Sequence, residues 1–167
     1  MAGTLRYVDP TCKPGRFTRL YAALATRRLS RFISRHIGWK LDPLLLRVTG
    51  GRLATTLVFP TAVLETQGAK SGIRRRNAVI YFHDGDRITI AASNAGGTRD
   101  PDWYYNLRAN PSVTFGDTPM DATVITDHAE TERLWRLADN VFPAYAAYRL
   151  AAAKVDRTIP IIQLVAR

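Results

Sequence analysis

Apolar positions recur along this chain at two spacings, and the change from one to the other divides it. Phe17, Leu20, Tyr21 and Leu24 fall at i, i+3, i+4 and i+7, the stripe of an amphipathic helix. Past Thr26 the apolar face rotates, so residues 16–40 are expected as two short helices rather than one. After Leu41 the texture turns from helical to β. The runs TAVLETQ (61–67), NAVIYFH (77–83) and RITIAAS (87–93) read as strands, and Asp84-Gly85 between the last two is a hairpin signal. PDWYYNLRAN (101–110) has helix-forming content, with Pro at its start and a stop at Asn110-Pro111. SVTFG and MDATVIT alternate as a second hairpin. Asp127 followed by Glu130 is a capping-box pattern for a helix running to about Val141, with Leu134, Leu137, Ala138 and Val141 turned inward. Pro143 ends that helix and opens AYAAYRLAAAK, whose alanines favour another, and IPIIQLVA closes the chain as a last strand. Strands with helices inserted late define an α+β fold class built on a small antiparallel barrel with flanking helices.

Length and charge narrow this picture. At 167 residues and 46% hydrophobic content the chain is sized for one core, here divided into a basic helical arm, 1–45, and a barrel domain, 46–167. Its 24 Lys and Arg against 14 Asp and Glu leave a formal charge of +10, which attracts anions: nucleic acid, anionic lipid, or a phosphorylated or carboxylated small molecule. From Arg16 to Lys40 there are seven cations and no acid; such a segment either packs on the domain with a solvated charged face or lies on an anionic membrane surface. The single cysteine, Cys12, excludes an internal disulfide and a multi-cysteine metal site, and reads as a free thiol in a mobile arm in a reducing compartment. No apolar run is long enough to cross a bilayer and the start lacks a secretory apolar region. The expected location is therefore the cytoplasm, with peripheral attachment at the inner face of the cell membrane as the variant that the arm permits.

Three features carry candidate chemistry. The stretch TQGAKSGIRRRN (66–77) sets Gly68 and Gly72, the hydroxyl of Ser71, and Lys70, Arg74, Arg75 and Arg76 between two apolar runs. Glycines that expose successive N–H groups beside cations can cradle phosphate oxygens, although the Walker spacing is absent; a solvated hairpin tip with charges that block edge pairing has the same composition. The passage AASNAGGTRDPDWYYNLRANP delivers Ser93 and Asn94 from a strand end into a Gly-rich loop, a natural place for a planar, polar ligand, while Trp103 and Leu107, four apart, can equally anchor a helix to the core. Tyr145 and Tyr148, three apart, share a helical face; phenols stay protonated at neutral pH and can donate a hydrogen bond or a proton to a substrate oxygen, or simply pack. His36, His83 and His128 have no metal-ligand or triad spacing and read as surface or packing residues, so no metal is expected.

Taken together, LETQGAKSGIRRRNAVIY, ITIAASNAGGTRDPDWYYNLRANPSVTF and FPAYAAYRLAAAKVDRTIPIIQL, in this order and spacing, resemble the deazaflavin-dependent nitroreductase family of actinobacterial flavin/deazaflavin oxidoreductases, over about residues 50–167. The resemblance implies a split β-barrel, FMN-binding-like, that binds coenzyme F420, whose side chain carries a phosphodiester and a poly-glutamate tail. By that resemblance Lys70, Ser71 and Arg75 fall on phosphate-contacting positions, with Ala69 at the start of the same turn and Arg76, Asn77 and Ala78 continuing along the cofactor. Ala91, Ala92, Ser93 and Asn94, then Trp103, Tyr104 and Asn106, fall on segments that line the deazaflavin. Tyr145 and Tyr148 fall near the substrate side. The chain departs from the family's usual pattern at Ala69, where Arg is common, and at Ala78, where Pro is. Phe142 and Ile80 replace tyrosines of the prodrug-reducing nitroreductase, which points away from bulky nitro substrates.

The function implied is a reductase that passes a hydride from reduced F420 to an electron-poor acceptor such as a quinone, an enone or a nitro compound, with Tyr145, Tyr148 and Ser93 polarising the acceptor oxygen. The alternative is a carrier that binds F420 or another flavin without turnover. A basic nucleic-acid module is not expected: no recognition motif of that kind appears, and the aromatics do not interleave with a basic groove pattern.

Overall fold

The structure, a computed structural model, describes residues 5–12 and 59–167; the basic segment 16–40, His36, and the boundary between arm and barrel at 45/46 lie outside the described residues. Six strands form a closed barrel in the order β1-β2-β3-β6-β5-β4: β1 Thr61–Gln67, β2 Arg74–Asp84, β3 Arg87–Ala91, β4 Ser112–Phe115, β5 Thr118–Val124 and β6 Ile161–Ala166. Every pairing is antiparallel, and β1 closes the ring on β4 through Leu64 opposite Phe115 and Glu65 opposite Thr114. Among the described residues three α-helices are added: α1 Asp102–Ala109, α2 His128–Val141 and α3 Ala144–Ala153.

Alternation decides what each strand contributes. In β1 the even positions Ala62, Leu64 and Thr66 are buried, as a period of two requires when one face looks into a barrel. They meet Val79, Tyr81, Ile88, Ile90, Val113, Phe115, Met120, Ile162 and Leu164, while Trp103, Tyr104 and Leu107 of α1 complete the same core. Trp103 and Leu107 thus seat α1 on the barrel, and full burial of side chains of this size stabilises by about 1.5–3 kcal/mol each. A second core lies between the barrel's outer face and the later helices, joining Phe59, Phe82, Ile159 and Ile161 to Leu134, Trp135, Ala138, Val141, Phe142, Tyr145 and Tyr148.

Both hairpins form, with shifted bounds. β2 begins at Arg74, three residues before the expected strand, so Arg74, Arg75 and Arg76 pair with Gln67, Thr66 and Glu65 instead of standing in the turn, and β3 ends at Ala91, two residues early. β2 also runs one residue beyond the expected strand, so Asp84 pairs with Arg87 and the two-residue turn is Gly85–Asp86. Asp84 is held in the ladder because its carboxylate accepts from both terminal nitrogens of Arg133 and from Gln163, charge-assisted bonds that a free turn residue lacks. The second hairpin turns through Gly116 and Asp117, both left-handed (φ 52° and 67°). Gly116 suits this left-handed position, and a Cβ there would stand 2.4 Å from Cδ2 of Leu5, so the leucine side chain would have to move.

Asp127 caps α2 by accepting from the Glu130 N–H at 2.8 Å, an interaction of about 1 kcal/mol. The reciprocal half of the capping box is replaced: the Glu130 carboxylate binds Arg133 through Nε and Nη2, each at 2.7 Å. Leu134, Ala138 and Val141 are buried as expected, whereas Leu137 is half-buried and Trp135 takes an inward place. Trp135 is covered because α3 folds back on it, with the Tyr145 ring edge-on at 5.7 Å and the Arg149 guanidinium 4.3 Å above the indole. Arg149 also grips Asp139 with two bonds of 2.8 and 2.6 Å, tying α3 to α2.

Residues 5–8 extend the sheet beyond the start of β1. Val8 pairs with β2 through the His83 N–H (2.9 Å), and its own N–H donates to His83 Nδ1 (3.1 Å), while the Tyr81 hydroxyl donates to the Arg6 carbonyl. His83 is thus a packing residue, as expected, and also a clasp. Its Nδ1 can accept only when unprotonated, and burial lowers the imidazole pKa from its ordinary value. The unfolded chain therefore takes up this proton first as pH falls, so the clasp contributes fully above the ordinary imidazole value of about 6.5 and is lost as pH falls through the lowered value of the folded chain. Amide exchange at Val8, corrected for intrinsic rate, should be faster at pH 5.5 than at pH 7.5 while β3 amides keep their protection; equal protection of Val8 at both pH values would show that the clasp does not depend on the imidazole's charge.

Candidate functional site

The cationic turn sits where β1 passes into β2. Gly68 N–H donates to Ile73 carbonyl and Gly72 N–H to Gly68 carbonyl, at 2.9 and 2.8 Å, which closes a tight loop and leaves residues 69–76 exposed. α1 braces that loop: Asn106, buried, accepts from the Ala69 N–H at 3.0 Å and donates to Thr66 Oγ1 at 3.2 Å. Asn106 was expected along the deazaflavin; its amide is occupied in positioning the turn.

Strand register sorts the cations by face. Residues directly opposite one another in an antiparallel pair share a face, so Arg76 lies with Glu65, and Arg75 lies with the inward Thr66. Glu65 takes the outer pair, accepting from Arg76 Nε at 2.6 Å and Arg74 Nη1 at 2.8 Å, and Arg76 followed by Arg74 holds its carboxyl below the ordinary carboxylate pKa. Lys70 and Arg75 have no ion-pair partner among the described residues. Ser71, also exposed, accepts from the Ile73 N–H at 3.3 Å. Asn77 and Ala78 follow on β2, half-buried. A polyanion with a phosphodiester and carboxylates matches this donor set: two cations without an ion-pair partner among the described residues and a hydroxyl, all exposed in and beside one turn.

The second group is the loop after β3. Ala91 ends that strand opposite Ile161, and Ala92, fully buried, donates to the Pro160 carbonyl at 3.0 Å. The chain then makes a left-handed turn at Asn94, Ala95 and Gly96 (φ 46°, 50° and 71°); Gly and Asn adopt that conformation readily, whereas at Ala95 it costs about 1–2 kcal/mol. Gly96 is needed for space as well: a Cβ would lie 2.9 Å from the Tyr148 carbonyl and 3.0 Å from Ala151 Cβ. This close approach brings Ser93 and Asn94 against α3. Asn94 Nδ2 donates to the Arg99 carbonyl at 2.8 Å. Ser93 is half-buried.

Arg157 holds this loop, and sequence reasoning passed over it. Its guanidinium, with 7% of the side chain exposed, lies 2.8 Å from Gly97 carbonyl, 3.1 Å from Ser93 carbonyl and 2.5 Å from Ala92 carbonyl, and meets Asp100 through Nε at 2.8 Å and Nη2 at 2.7 Å. Arginine has five N–H donors, and here there are five contacts. Removing one partner of such a buried pair strands the other charge, at a cost of about 3–5 kcal/mol. The signal available in sequence was only the Asp156-Arg157 pair after a helix, which by itself marks a helix end.

Tyr145 and Tyr148 lie on the inner face of α3, both buried, with ring centroids 6.3 Å apart and Phe142 packed edge-on against Tyr145 at 4.9 Å. Burial, then the neighbouring Tyr148, raises the Tyr145 pKa far above the ordinary phenol range, so it stays protonated throughout the physiological range. Trp103 and Tyr104 belong to the barrel core, and Tyr104 is likewise raised, chiefly by burial. The loop carrying Ser93 is therefore in contact with the tyrosine helix, and α1, which follows the loop, braces the cationic turn through Asn106.

A closed six-stranded antiparallel barrel with flanking helices is a split β-barrel of the FMN-binding-like class. The chain belongs to the F420H(2)-dependent quinone reductase family, whose model matches residues 41–165. It is 33% identical over 150 residues to the F420H(2)-dependent quinone reductase Rv1261c of Mycobacterium tuberculosis, covering 83% of this chain and 99% of that one. Among solved structures it is similar to an F420-H2 dependent reductase, FDR-A, with a TM-score of 0.54 and 33% identity over 63% of this chain and 93% of the other. A domain-swapped dimer superposes with a TM-score of 0.56 and 28% identity over 75% of this chain and 96% of its own.

Proposed function

We propose that this protein is an F420-dependent reductase that uses reduced F420 to reduce a quinone-like acceptor. The observation that carries the reading is the division of the turn's charges: Glu65 neutralises Arg74 and Arg76, while Lys70 and Arg75 remain without a carboxylate among the described residues. Family membership supports the same cofactor. Reduced F420 supplies a hydride when bound, and the acceptor gains that hydride plus a proton. The protein's part is position and electrostatics. Lys70, Ser71 and Arg75 hold the phosphodiester and carboxylate tail, and the loop from Ala91 to Asn94 borders the ring system. Ser93 and a tyrosine of α3 hydrogen-bond to the acceptor oxygen, and solvent supplies the proton. Trp103, Tyr104 and Asn106 serve by seating α1 and bracing the turn, and Arg76 stays with Glu65.

Binding tests the cofactor assignment. F420 should bind in preference to FMN, which has a phosphate but no poly-glutamate tail, and raising salt should weaken F420 binding because exposed charges are screened. Lys70→Ala and Arg75→Ala should each raise the Kd for F420 several-fold and flatten its salt dependence; a preference for FMN, or salt dependence unchanged in both variants, would sink the assignment.

The catalytic role of α3 separates enzyme from carrier. Tyr148→Phe should lower quinone turnover about tenfold, the worth of roughly one hydrogen bond, while the Kd for F420 stays within twofold of wild type. Equal loss of both would make Tyr148 structural, and no oxidation of bound reduced F420 by any quinone in stopped flow would favour the carrier.

The arm completes the reading. Within it, residues 16–40 carry seven cations and no acid, which supports contact with an anionic membrane surface, where a lipid-soluble quinone would be met. Full-length protein should sediment with anionic vesicles at low salt and residues 41–167 should not; sedimentation that survives the deletion would exclude the arm.

A further inference from the structure

Two left-handed segments of the chain meet at one side chain. The end of α3 is finished by a Schellman arrangement: the Arg157 N–H donates to the Ala152 carbonyl and the Asp156 N–H to the Ala153 carbonyl, both at 3.1 Å, with Asp156 left-handed at φ 53°. That geometry usually uses glycine at the left-handed position. Here it turns the chain so that the next residue, Arg157, enters the interior beneath the loop after β3. The other left-handed segment is that loop itself, Asn94 to Gly96. Strained backbone persists only where its surroundings over-determine it. The surroundings are Arg157, which takes three carbonyls of the loop (Ala92, Ser93, Gly97) and the carboxylate of Asp100.

We propose that Arg157 is a positioning residue for the cofactor-bordering loop: it locks the turn at 93–97 in register with α3, so that Ser93 and the α3 tyrosines keep a fixed separation while the deazaflavin is bound. This rests on the reading of the site as an F420 site. The chemistry asks for arginine in particular, because a planar guanidinium offers five donors in a rigid fork and an ammonium only three on a flexible stem. Lysine keeps the charge for Asp100 and loses the geometry for the carbonyls. Arg157 touches neither cofactor nor acceptor in this assignment; it acts through the loop.

The test compares wild type with Arg157→Lys, full chain, by amide hydrogen exchange and by titration with oxidised F420 followed through cofactor fluorescence. The expected result is exchange at Gly96 and Gly97 at least tenfold faster in the variant, with β1 and β2 amides unchanged, together with a Kd for F420 raised about tenfold and a KM for the quinone within twofold. Asp100→Asn, which keeps the guanidinium and removes its carboxylate, should move both readouts the same way by a smaller factor, and it supplies the measurement if Arg157→Lys does not fold. Unchanged exchange at 96–97 overturns the proposal, and so does acceleration spread evenly over the barrel, which would make Arg157 a general stability residue. Wild-type binding of F420 with an unaltered Kd in the variants overturns the positioning role alone. Failure of the wild type to bind F420 overturns the cofactor reading and the positioning role with it, whatever the exchange shows.

Discussion

Barrel closure at the β1–β4 seam is the constraint on which the rest of this structure depends. Two residue pairs make it, Leu64 with Phe115 and Glu65 with Thr114, and they convert an open sheet into one without a free edge. Leu64 and Phe115 are fully buried there, and the ring of Phe115 stands edge-on to Tyr81 at 5.4 Å. Once β1 is fixed in the ring its alternation has no freedom left. Glu65 must face out, where it meets Arg74 and Arg76, and Thr66 must face in, where it meets Asn106. A shift of one residue would exchange those faces, setting the carboxylate inside and the apolar set outside.

The chain's positive charge is therefore distributed by topology as well as by composition. Arg133 is bound to Asp84 and Glu130, Arg149 to Asp139 and Arg157 to Asp100, ion pairs that fasten α2 to the barrel, α3 to α2 and the β3 loop to the end of α3. These arginines are structural, although they count toward the net charge in the same way as Lys70 and Arg75. A ligand senses the local field of unpaired, exposed groups and is nearly blind to charges already matched at 2.5–2.7 Å, since opposite charges at contact cancel beyond a few ångströms. The arm lies outside this accounting, and its cations come in addition.

Most of the barrel was legible because it rests on local signals. β1 appears with the bounds that its β-branched run gave it, both hairpins turn where Gly and Asp stand, and Pro143 separates α2 from α3. The misses are all tertiary. Asp84 reads as a turn residue until Arg133, 49 positions away, pulls it into the strand. Trp135 lies outside the expected stripe of α2 because the surface that covers it belongs to α3. Arg157 carries no periodicity and no recognisable chemistry within the stretch that holds it; its role exists only once 65 residues of separation from Ala92 have been folded away. Of the site, residue types and their order were readable from the turn and the loop, whereas the partition of the four turn cations needed the β1–β2 register.

The candidate site draws on two cores that share few residues, and this gives the fold latitude. The cationic turn is anchored to the barrel core through Thr66 and Asn106, while the tyrosines belong to the helical core on the barrel's outer face. Changes within either core act first on its own half of the site, because coupling between distant side chains requires a packed path. The connection between the halves is the loop from Ala92 to Asp100, which has little apolar packing of its own: Ala92 is buried in the barrel core and Ala95 is partly buried against the helical one. Such a loop cannot hold three left-handed residues by burial. It is held by directional bonds, which specify a geometry more sharply than hydrophobic contact does, since hydrogen bonds weaken steeply with angle and apolar burial is non-directional. A reaction that depends on the separation of a cofactor and an acceptor is best served by placing its narrowest tolerance on such bonds, and in this chain they converge on a single guanidinium.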